Sequence, residues 1–167
     1  DIYKKASVGG IITKSVFTIT AIGSLLEVKG FDRLIRVAEM LKKDGISFCI
    51  QIIGRGEKEA ELKRLVHELN VENEVHFLGF QANPYPYLKE SDIFISTSIS
   101  EGFSLVICEA LVLGIPIVAT NTAGALELLE GGEYGVITEQ NDLSIYVALK
   151  KYITDQTLRT EYHKKSL

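Results

Sequence analysis

The fold is decided by residues 17–53, which read FTITAIGSLLEVKGFDRLIRVAEMLKKDGISFCIQII. An apolar, β-rich run over 17–22 stops at a glycine. The segment 31–41 then repeats apolar residues at helical spacing, and a second apolar run over 48–53 again stops at a glycine. Because a buried strand is continuously apolar and a helix repeats every ~3.6 residues, this order predicts strand, helix and strand.

The same alternation continues through the rest of the chain. Repeated strand-then-helix spacing is typical of an α/β fold with a doubly wound parallel sheet and helices on both faces. No linker or internal repeat divides the sequence, so one domain is expected. The remaining predicted strands are 75–78, 93–96, 117–119 and 136–137, and the remaining predicted helices are 57–69, 84–89, 105–113, 124–129 and 143–153.

Composition narrows the class of protein. The chain has 167 residues, of which 46% are hydrophobic and 24% charged, and its net charge is −4. No basic stripe is present, so no nucleic-acid partner is expected. No apolar stretch reaches the ~18 residues of a membrane span, so no membrane segment is expected. Cys49 and Cys108 lie in apolar runs, which predicts buried free thiols and a reducing, cytoplasmic compartment.

Ligands of open α/β sheets bind at the carboxyl ends of the strands. Most of the loops that follow the predicted strands contain glycine close to the strand end, and glycine lets a backbone approach a ligand but also makes ordinary turns. The pattern alone therefore leaves both interpretations open. These loops are Gly23-Ser24, 54–56, Gly79-Phe80, 96–104 and 120–124.

Two cations stand near these loops. Lys29 directly precedes the helix over 31–41, where the helix dipole disfavours a positive charge unless an anion joins it, so a phosphate site is indicated. The alternative is an exposed lysine paired with Glu27 or Asp32. Arg55 gives a weaker signal of the same kind, since two nearby glutamates can neutralise it.

Two carboxylates complete the candidate site. Glu109 is the only charged residue between positions 104 and 119, so it must reach water, a partner or a ligand such as a ribose hydroxyl. The alternative is that Glu109 lies on the one strip of this helix that faces solvent. Glu101, beside the backbone amides of 102–105, indicates an anion cradle, with an acidic surface loop as its alternative. Together these residues point to an anionic, polyhydroxylated ligand.

Residues 101–109, EGFSLVICE, resemble the Glu-(seven residues)-Glu motif of the family-4 retaining glycosyltransferases. Further segments resemble that family in the same order, from about residue 17 to 155. They are GSLLEVKG at 23–30, IIGRG at 52–56, VHFLGF at 75–80, GIPIVA at 114–119, and Gly124 with Glu127.

The resemblance implies the GT-B fold, in which two Rossmann-like domains enclose a cleft. The motifs present here are similar to those of the second, donor-binding half. Residues 1–167 would then be a single Rossmann-like nucleotide-sugar-binding domain, and an acceptor-binding domain would precede Asp1.

The resemblance also implies roles for particular residues. Lys29 would hold the donor diphosphate, Glu109 the ribose hydroxyls, and Glu101 would face the transferred sugar, so Glu101 and Lys29 are the expected catalytic residues. The loop from Gly79 to Asn83 would lie beside the base. The full expected donor-binding set is Gly23, Ser24, Lys29, Arg55, Gly79, Phe80, Gly102, Phe103, Ser104, Leu105 and Glu109, with the diphosphate also held by the amides of 103–105.

The implied reaction transfers a hexosyl group, with retention, from a UDP- or GDP-sugar to a glycan or lipid-linked acceptor. No cofactor and no metal is expected, and the longer protein would work in the cytoplasm, peripherally at the inner membrane face. The sequence departs from the family at Ser24, where arginine is common, and at Ala123 and Leu126. The alternatives are a nucleotide-sugar epimerase and a non-catalytic nucleotide-binding module.

Overall fold

The computed structural model describes residues 1–7 and 16–166. Its centre is a parallel sheet of six strands in the order β3-β2-β1-β4-β5-β6. The strands are β1 Thr18–Ile22, β2 Cys49–Ile53, β3 Val75–Gly79, β4 Ile93–Ser96, β5 Ile117–Thr120 and β6 Val136–Thr138.

Helices cover both faces of this sheet. They are α1 Ile2–Ala6, α2 Phe31–Lys43, α3 Glu59–Glu68, α4 Tyr85–Lys89, α5 Leu105–Val112, α6 Ala123–Leu128, α7 Asp142–Thr154 and α8 Gln156–Ser166. Single 3-10 turns lie at Glu27–Lys29 and Glu130–Gly132.

The central strands are buried on both sides because they contribute alternate residues to two separate cores. In β4, Ile93 and Ile95 pack into the core beneath α2, α3 and α7, whereas Phe94 packs into the core beneath α4, α5 and α6. Alternation of side chains along a strand produces this division. The predicted doubly wound α/β sheet is therefore confirmed.

The strand order creates a crevice at the carboxyl edge of the sheet. The chain leaves β1 toward β2 and β3, then returns to place β4 on the other side of β1. The loops after β1 and β4 consequently run in opposite directions and leave an opening at the carboxyl edge, which is where ligands of such sheets bind.

The predicted strands and helices all correspond to observed ones, with ends that differ by about two residues or fewer. The sequence did not predict α1, which has 5 residues and is too short to show a helical period. It also missed α8, whose predominantly polar sequence lacks a marked apolar stripe. None of the described helices is long and apolar enough to cross a membrane.

The two cysteines correct one prediction. Both thiols are free, as expected, but both residues are only half-buried rather than buried. Cys49 opens β2 at a position with partial exposure, and Cys108 lies toward the side of α5 that is not fully covered. Desolvation nevertheless raises the pKa of each thiol.

Candidate active site

Two adjoining cavities open at the carboxyl ends of β1 and β4. The inner cavity has a volume of about 200 Å³ and the outer cavity about 510 Å³. Both are lined by Ile22, Gly23, Ser24 and Val106, which we call the shared wall. One extended ligand could therefore pass from one cavity to the other across the end of β1 and the first turn of α5.

Two glycines bring the surrounding loops close enough to form these cavities. Gly30 has a φ of 61°, and a Cβ there would lie 2.3 Å from the carbonyl oxygen of Thr97. Gly54 has a φ of 143°, and a Cβ there would lie 1.9 Å from the carbonyl oxygen of Gly23. Only glycine fits at either position, so the loops after β1, β2 and β4 remain in backbone contact.

The inner cavity holds an ion pair between Lys29 and Glu101. Lys29 Nζ lies 2.7 Å from Glu101 Oε1, and the two side chains are 25% and 14% exposed. Ser98 Oγ donates a hydrogen bond of 3.2 Å to the other oxygen, Glu101 Oε2. The cation and the carboxylate thus neutralise each other in a partly desolvated position, beside the start of α2.

The partners considered from the sequence for Lys29 are occupied elsewhere. Glu27 pairs with Lys58 at 2.8 Å, and Asp32 pairs with Arg36 at 2.8 Å. Glu101 was not predicted as the partner of Lys29 because the two residues are 72 positions apart in the sequence. They come together only because the sheet places β4 beside β1.

A small hydrogen-bond network holds the loop that carries Glu101. The carbonyl oxygen of Ser98 accepts hydrogen bonds from Thr120 Oγ1 at 2.6 Å and from Gln140 Nε2 at 3.2 Å. Arg33 in turn donates to the side-chain oxygen of Gln140. The candidate loops 96–104 and 120–124 contain Ser98 and Thr120 without singling them out, and Gln140 lies outside every candidate loop. Single polar residues in separate loops have no recognisable spacing.

The outer cavity contains Glu109, one turn into α5. The phenol of Tyr85 donates a hydrogen bond of 2.8 Å to Glu109 Oε1. This hydrogen bond, followed by desolvation, raises the pKa of Tyr85. Glu109 therefore has a hydrogen-bond partner and also lines a cavity. This agrees with the expectation that a lone carboxylate in an apolar helix must reach water, a partner or a ligand.

The wall of the outer cavity opposite Glu109 combines an aromatic ring and a cation. The Arg55 guanidinium carbon lies 4.8 Å from the centre of the Phe80 ring, and Phe80 is 61% exposed. Glu59, one of the two glutamates near Arg55 in the sequence, pairs instead with Lys63 at 2.7 Å. This wall offers a flat apolar surface with positive charge above it.

The first turn of α5 faces both cavities. Ser104 caps the helix by accepting a hydrogen bond of 3.3 Å from the Ile107 amide and lines the inner cavity. Leu105 lines the outer cavity and is 70% exposed. The first backbone N–H groups of a helix have no partner within the helix, so they are available to an anion at this position.

Most of the predicted site residues come together, and three do not. Gly79 lies behind the outer cavity, where its carbonyl oxygen accepts from the Gly54 amide at 2.8 Å. Gly102 packs against Gly124, and Phe103 is 56% exposed, outside both cavities. The predicted residues that line a cavity are Gly23, Ser24, Lys29, Arg55, Phe80, Glu101, Ser104, Leu105 and Glu109.

Within residues 1–7 and 16–166, no group of three or more histidine, cysteine, aspartate or glutamate residues is placed to hold a metal ion.

The sheet order and the crevice at its switch point define a Rossmann-like α/β domain with a polar ligand site. A family model described as "Glycosyl transferases group 1" matches residues 9–166 of the sequence. The chain belongs to this family.

Curated relatives agree with this membership. The chain is 38% identical over 127 residues to an uncharacterized glycosyltransferase of Haemophilus influenzae, covering 75% of this chain and 36% of that protein. It is 37% identical over 150 residues to the Campylobacter jejuni N-acetylgalactosamine-N,N'-diacetylbacillosaminyl-diphospho-undecaprenol 4-alpha-N-acetylgalactosaminyltransferase, covering 89% and 40%. The chain therefore spans less than half the length of these relatives.

Solved glycosyltransferase structures share the fold. Anabaena HepE, solved in complex with UDP, superposes with a TM-score of 0.82 at 26% identity, covering 90% of this chain and 43% of that one. Staphylococcus aureus TarM superposes with a TM-score of 0.83 at 23% identity, covering 96% and 33%. The expected Rossmann-like architecture of the GT-B enzymes is confirmed.

Proposed function

We propose that this chain is the nucleotide-sugar donor-binding domain of a retaining glycosyltransferase. The enzyme would transfer a hexosyl group from a UDP- or GDP-sugar to a glycan or lipid-linked acceptor. The observation that carries the proposal is the pair of cavities that meet at one wall, with Lys29 and Glu101 in the inner cavity and Glu109 in the outer one.

The shared wall suits a diphosphate. It is built from Gly23, Ser24 and two apolar side chains, so a ligand's phosphates can approach the backbone closely. Lys29 and the N-terminus of α5 supply positive charge on either side of it. The Ser24 hydroxyl stands where related enzymes often have arginine, so the diphosphate depends mainly on Lys29, with Arg55 beyond the wall in the outer cavity.

The outer cavity suits the nucleoside and the inner cavity the sugar. Glu109 would accept hydrogen bonds from ribose hydroxyls, and the base would lie near the wall formed by Phe80 and Arg55. The inner cavity is smaller and has hydroxyl and carboxylate groups from Ser98 and Glu101, which can bind the hydroxyls of a hexose.

Binding of the diphosphate would also rearrange the inner cavity. A phosphate oxygen and the Glu101 carboxylate compete for the same Lys29 ammonium, which now pairs with Glu101 at 2.7 Å. When phosphate takes Lys29, Glu101 becomes free to face the sugar. Nucleotide binding and orientation of the sugar are thereby coupled.

The chemical step breaks the bond between the anomeric carbon and the leaving phosphate oxygen. Negative charge grows on that oxygen, and Lys29, the α5 amides and the helix dipole stabilise it. The acceptor hydroxyl attacks from the same face and gives its proton to the leaving oxygen, which retains the anomeric configuration. Glu101 stabilises the positive charge that develops on the sugar ring and forms no covalent bond to it.

Relatives support the acceptor class and the setting. The C. jejuni relative carries an undecaprenol diphosphate in its name, and others are named for lipopolysaccharide core and amylovoran biosynthesis. A lipid-linked acceptor and a cytoplasmic location beside the inner membrane face are consistent with those names. We also propose that the enzyme needs no divalent metal, which is tested by adding EDTA to the binding assay.

Calorimetric titration with UDP, GDP and ADP tests the donor site. We expect one nucleotide to bind with and without EDTA, and Lys29→Ala to weaken it about 10- to 100-fold, the effect of losing a charge-assisted hydrogen bond to an anion. Lys58→Ala is the matched control, because Lys58 is also ion-paired and is 28% exposed but lies outside both cavities. Equal losses in the two variants, or no binding of any nucleotide, would overturn the proposal.

Product analysis tests the reaction itself. With the protein that carries this sequence in the cell, the anomeric proton coupling in the product should match that of the donor sugar. Inversion would contradict the retaining mechanism. Release of an epimerised sugar without transfer would favour the epimerase alternative.

A further inference from the structure

Tyr85 directly follows Pro84, which lines the outer cavity, and neither the motifs nor the proposed reaction accounts for its phenol. It begins α4, and its phenol lies 2.8 Å from Glu109 Oε1 on α5. The hydrogen bond therefore links two helices that are separate in sequence. Within the described part of the chain, no residue donates a hydrogen bond to the other oxygen, Glu109 Oε2.

The short helix α1 fixes the ring of Tyr85 in place. The Lys5 ammonium lies 5.8 Å from the centre of the ring, and Asn83 Nδ2 donates 2.9 Å to the Lys5 carbonyl oxygen. Tyr3 of the same helix donates its hydroxyl to the carbonyl oxygen of Val112 at the end of α5. Helix α1 thus contacts both the helix that carries Tyr85 and the helix that carries Glu109.

We propose that Tyr85 is a positioning residue of the donor site: it fixes Glu109 so that Oε2 is presented to the ribose diol of a nucleoside diphosphate. This inference rests on the donor site proposed above. It makes Tyr85 responsible for part of the preference for ribonucleotides over 2′-deoxynucleotides.

The physical basis is the freedom of a glutamate side chain. An ionised carboxylate only accepts hydrogen bonds, and rotation about its terminal bond is only weakly restricted. An unrestrained Glu109 would therefore lose side-chain conformational entropy each time it bound a diol. The Tyr85 phenol restrains that torsion before the ligand arrives. Because the hydrogen bond to Glu109 raises the pKa of Tyr85, the phenol keeps its proton and remains a donor at neutral and mildly alkaline pH.

The test compares binding of UDP and 2′-deoxyUDP by wild type, Tyr85→Phe, Glu109→Gln and Tyr87→Phe. GDP and 2′-deoxyGDP replace them if the wild type prefers guanine. We expect Tyr85→Phe to weaken binding of the ribonucleotide about 3- to 10-fold, a loss comparable to that of one hydrogen bond. Binding of the deoxynucleotide, which keeps only the 3′ hydroxyl, should weaken less, so the preference for the ribonucleotide falls. Tyr87→Phe makes the same chemical change in the same helix outside the cavity, and it should behave as wild type.

The possible outcomes separate the inference from the function on which it rests. If no nucleoside diphosphate binds the wild type, the proposed function itself fails. If the wild type prefers the ribonucleotide and Glu109→Gln removes that preference, but Tyr85→Phe keeps it, only the role of Tyr85 is overturned. Equal weakening of both nucleotides by Tyr85→Phe would indicate a merely structural role and would also overturn it.

Discussion

At the scale of single residues, the most consequential contact is the one between Lys29 and Glu101. The Lys29 ammonium and the Glu101 carboxylate neutralise each other, so a phosphate bound as proposed above would compete with that carboxylate for Lys29. The cost of binding a phosphate therefore includes breaking an ion pair whose two side chains are largely shielded from water.

Removing the charge of Glu101 should expose this competition. Glu101→Gln is expected to bind UDP, which carries no hexosyl group, about 3- to 10-fold more tightly, because Lys29 loses a competing carboxylate. The same variant should transfer sugar more slowly, since Glu101 no longer stabilises positive charge on the ring. Calorimetry and a transfer assay measure the two effects, and weaker binding of UDP would contradict the competition.

Two residues of this site could be predicted from their local sequence surroundings alone. Glu109 was found because it is a lone charge in an apolar helix, and Lys29 because it precedes a helix. The contact between Lys29 and Glu101 spans 72 residues, and that between Tyr85 and Glu109 spans 24. Neither pairing could be predicted, because strand order alone decides which loops meet.

At the scale of the elements, α7 and α8 pack together through two tyrosines whose hydroxyls differ in their surroundings. The rings of Tyr152 and Tyr162 are 5.8 Å apart. Tyr152 is fully buried and its hydroxyl has no hydrogen-bond partner among the described residues, whereas the Tyr162 hydroxyl donates 3.3 Å to the carbonyl oxygen of Gly132. Each ring packs its apolar surface between the helices, but of the two hydroxyls only that of Tyr162 has a hydrogen-bond partner among the described residues.

This difference predicts opposite effects of one chemical change. Tyr152→Phe should raise the free energy of unfolding by about 1 kcal/mol, because it removes an unsatisfied buried hydroxyl. Tyr162→Phe should lower it by about 0.5–1 kcal/mol, because it removes a hydrogen bond. Urea denaturation near neutral pH measures both, and a loss of stability in Tyr152→Phe would contradict the prediction.

The same tyrosine should make stability fall at high pH. Burial raises the pKa of Tyr152 in the folded protein, so above the ordinary tyrosine pKa of about 10 the unfolded chain loses a proton that the folded chain keeps. Stability from this group is fully present below about pH 10 and falls by up to about 1.4 kcal/mol for each further pH unit. Denaturation between pH 9 and 11 should show a smaller decline for Tyr152→Phe than for wild type.

A glycine decides how the loops after β1 and β2 meet. Gly54→Ala should lower the free energy of unfolding by about 3 kcal/mol, since the new Cβ would both clash with the Gly23 carbonyl oxygen and strain the backbone. Gly45→Ala is the control, because Gly45 has a φ of 73° but no atom within 4 Å of its Cβ position. Its cost should be about 1 kcal/mol from strain alone. Similar losses of unfolding free energy in the two variants would contradict a role for the close approach of Gly54 to the Gly23 carbonyl oxygen.

Elements with clear periodicity were predicted well, and the others were not. The amphipathic α2 and the apolar strands followed directly from the positions of their apolar residues. Helices α1 and α8 did not, because they depend on contacts made after folding. Lys5 and Tyr3 hold α1 to its neighbours, and Leu158 and Tyr162 pack α8 on the core.

At the scale of the whole molecule, ligand binding should report directly on stability. UDP or GDP at 100 times its Kd should stabilise the fold by about 2.7 kcal/mol, which raises the Tm of a chain of this size by about 5–10 °C. At the same nucleotide concentration, Lys29→Ala should keep only about 0.4–1.4 kcal/mol of this stabilisation, for binding that is 10- to 100-fold weaker, whereas Lys58→Ala should keep all of it. Thermal denaturation measures it, and an unchanged shift in Lys29→Ala would remove that lysine from the binding site.

The strand order has a consequence for how this molecule could diversify. Gly23 and Ser24 at the end of β1 divide the crevice. The side chains of Arg55, Phe80 and Gln81 reach the outer cavity from one flank, and those of Ser98 and Glu101 reach the inner cavity from the other. Exchange of the loop residues 54–56 and 80–81 between relatives would remodel one end of a bound molecule, and exchange of 97–101 the other. The two ends of the ligand site can therefore change independently while the strands and helices between these loops stay the same.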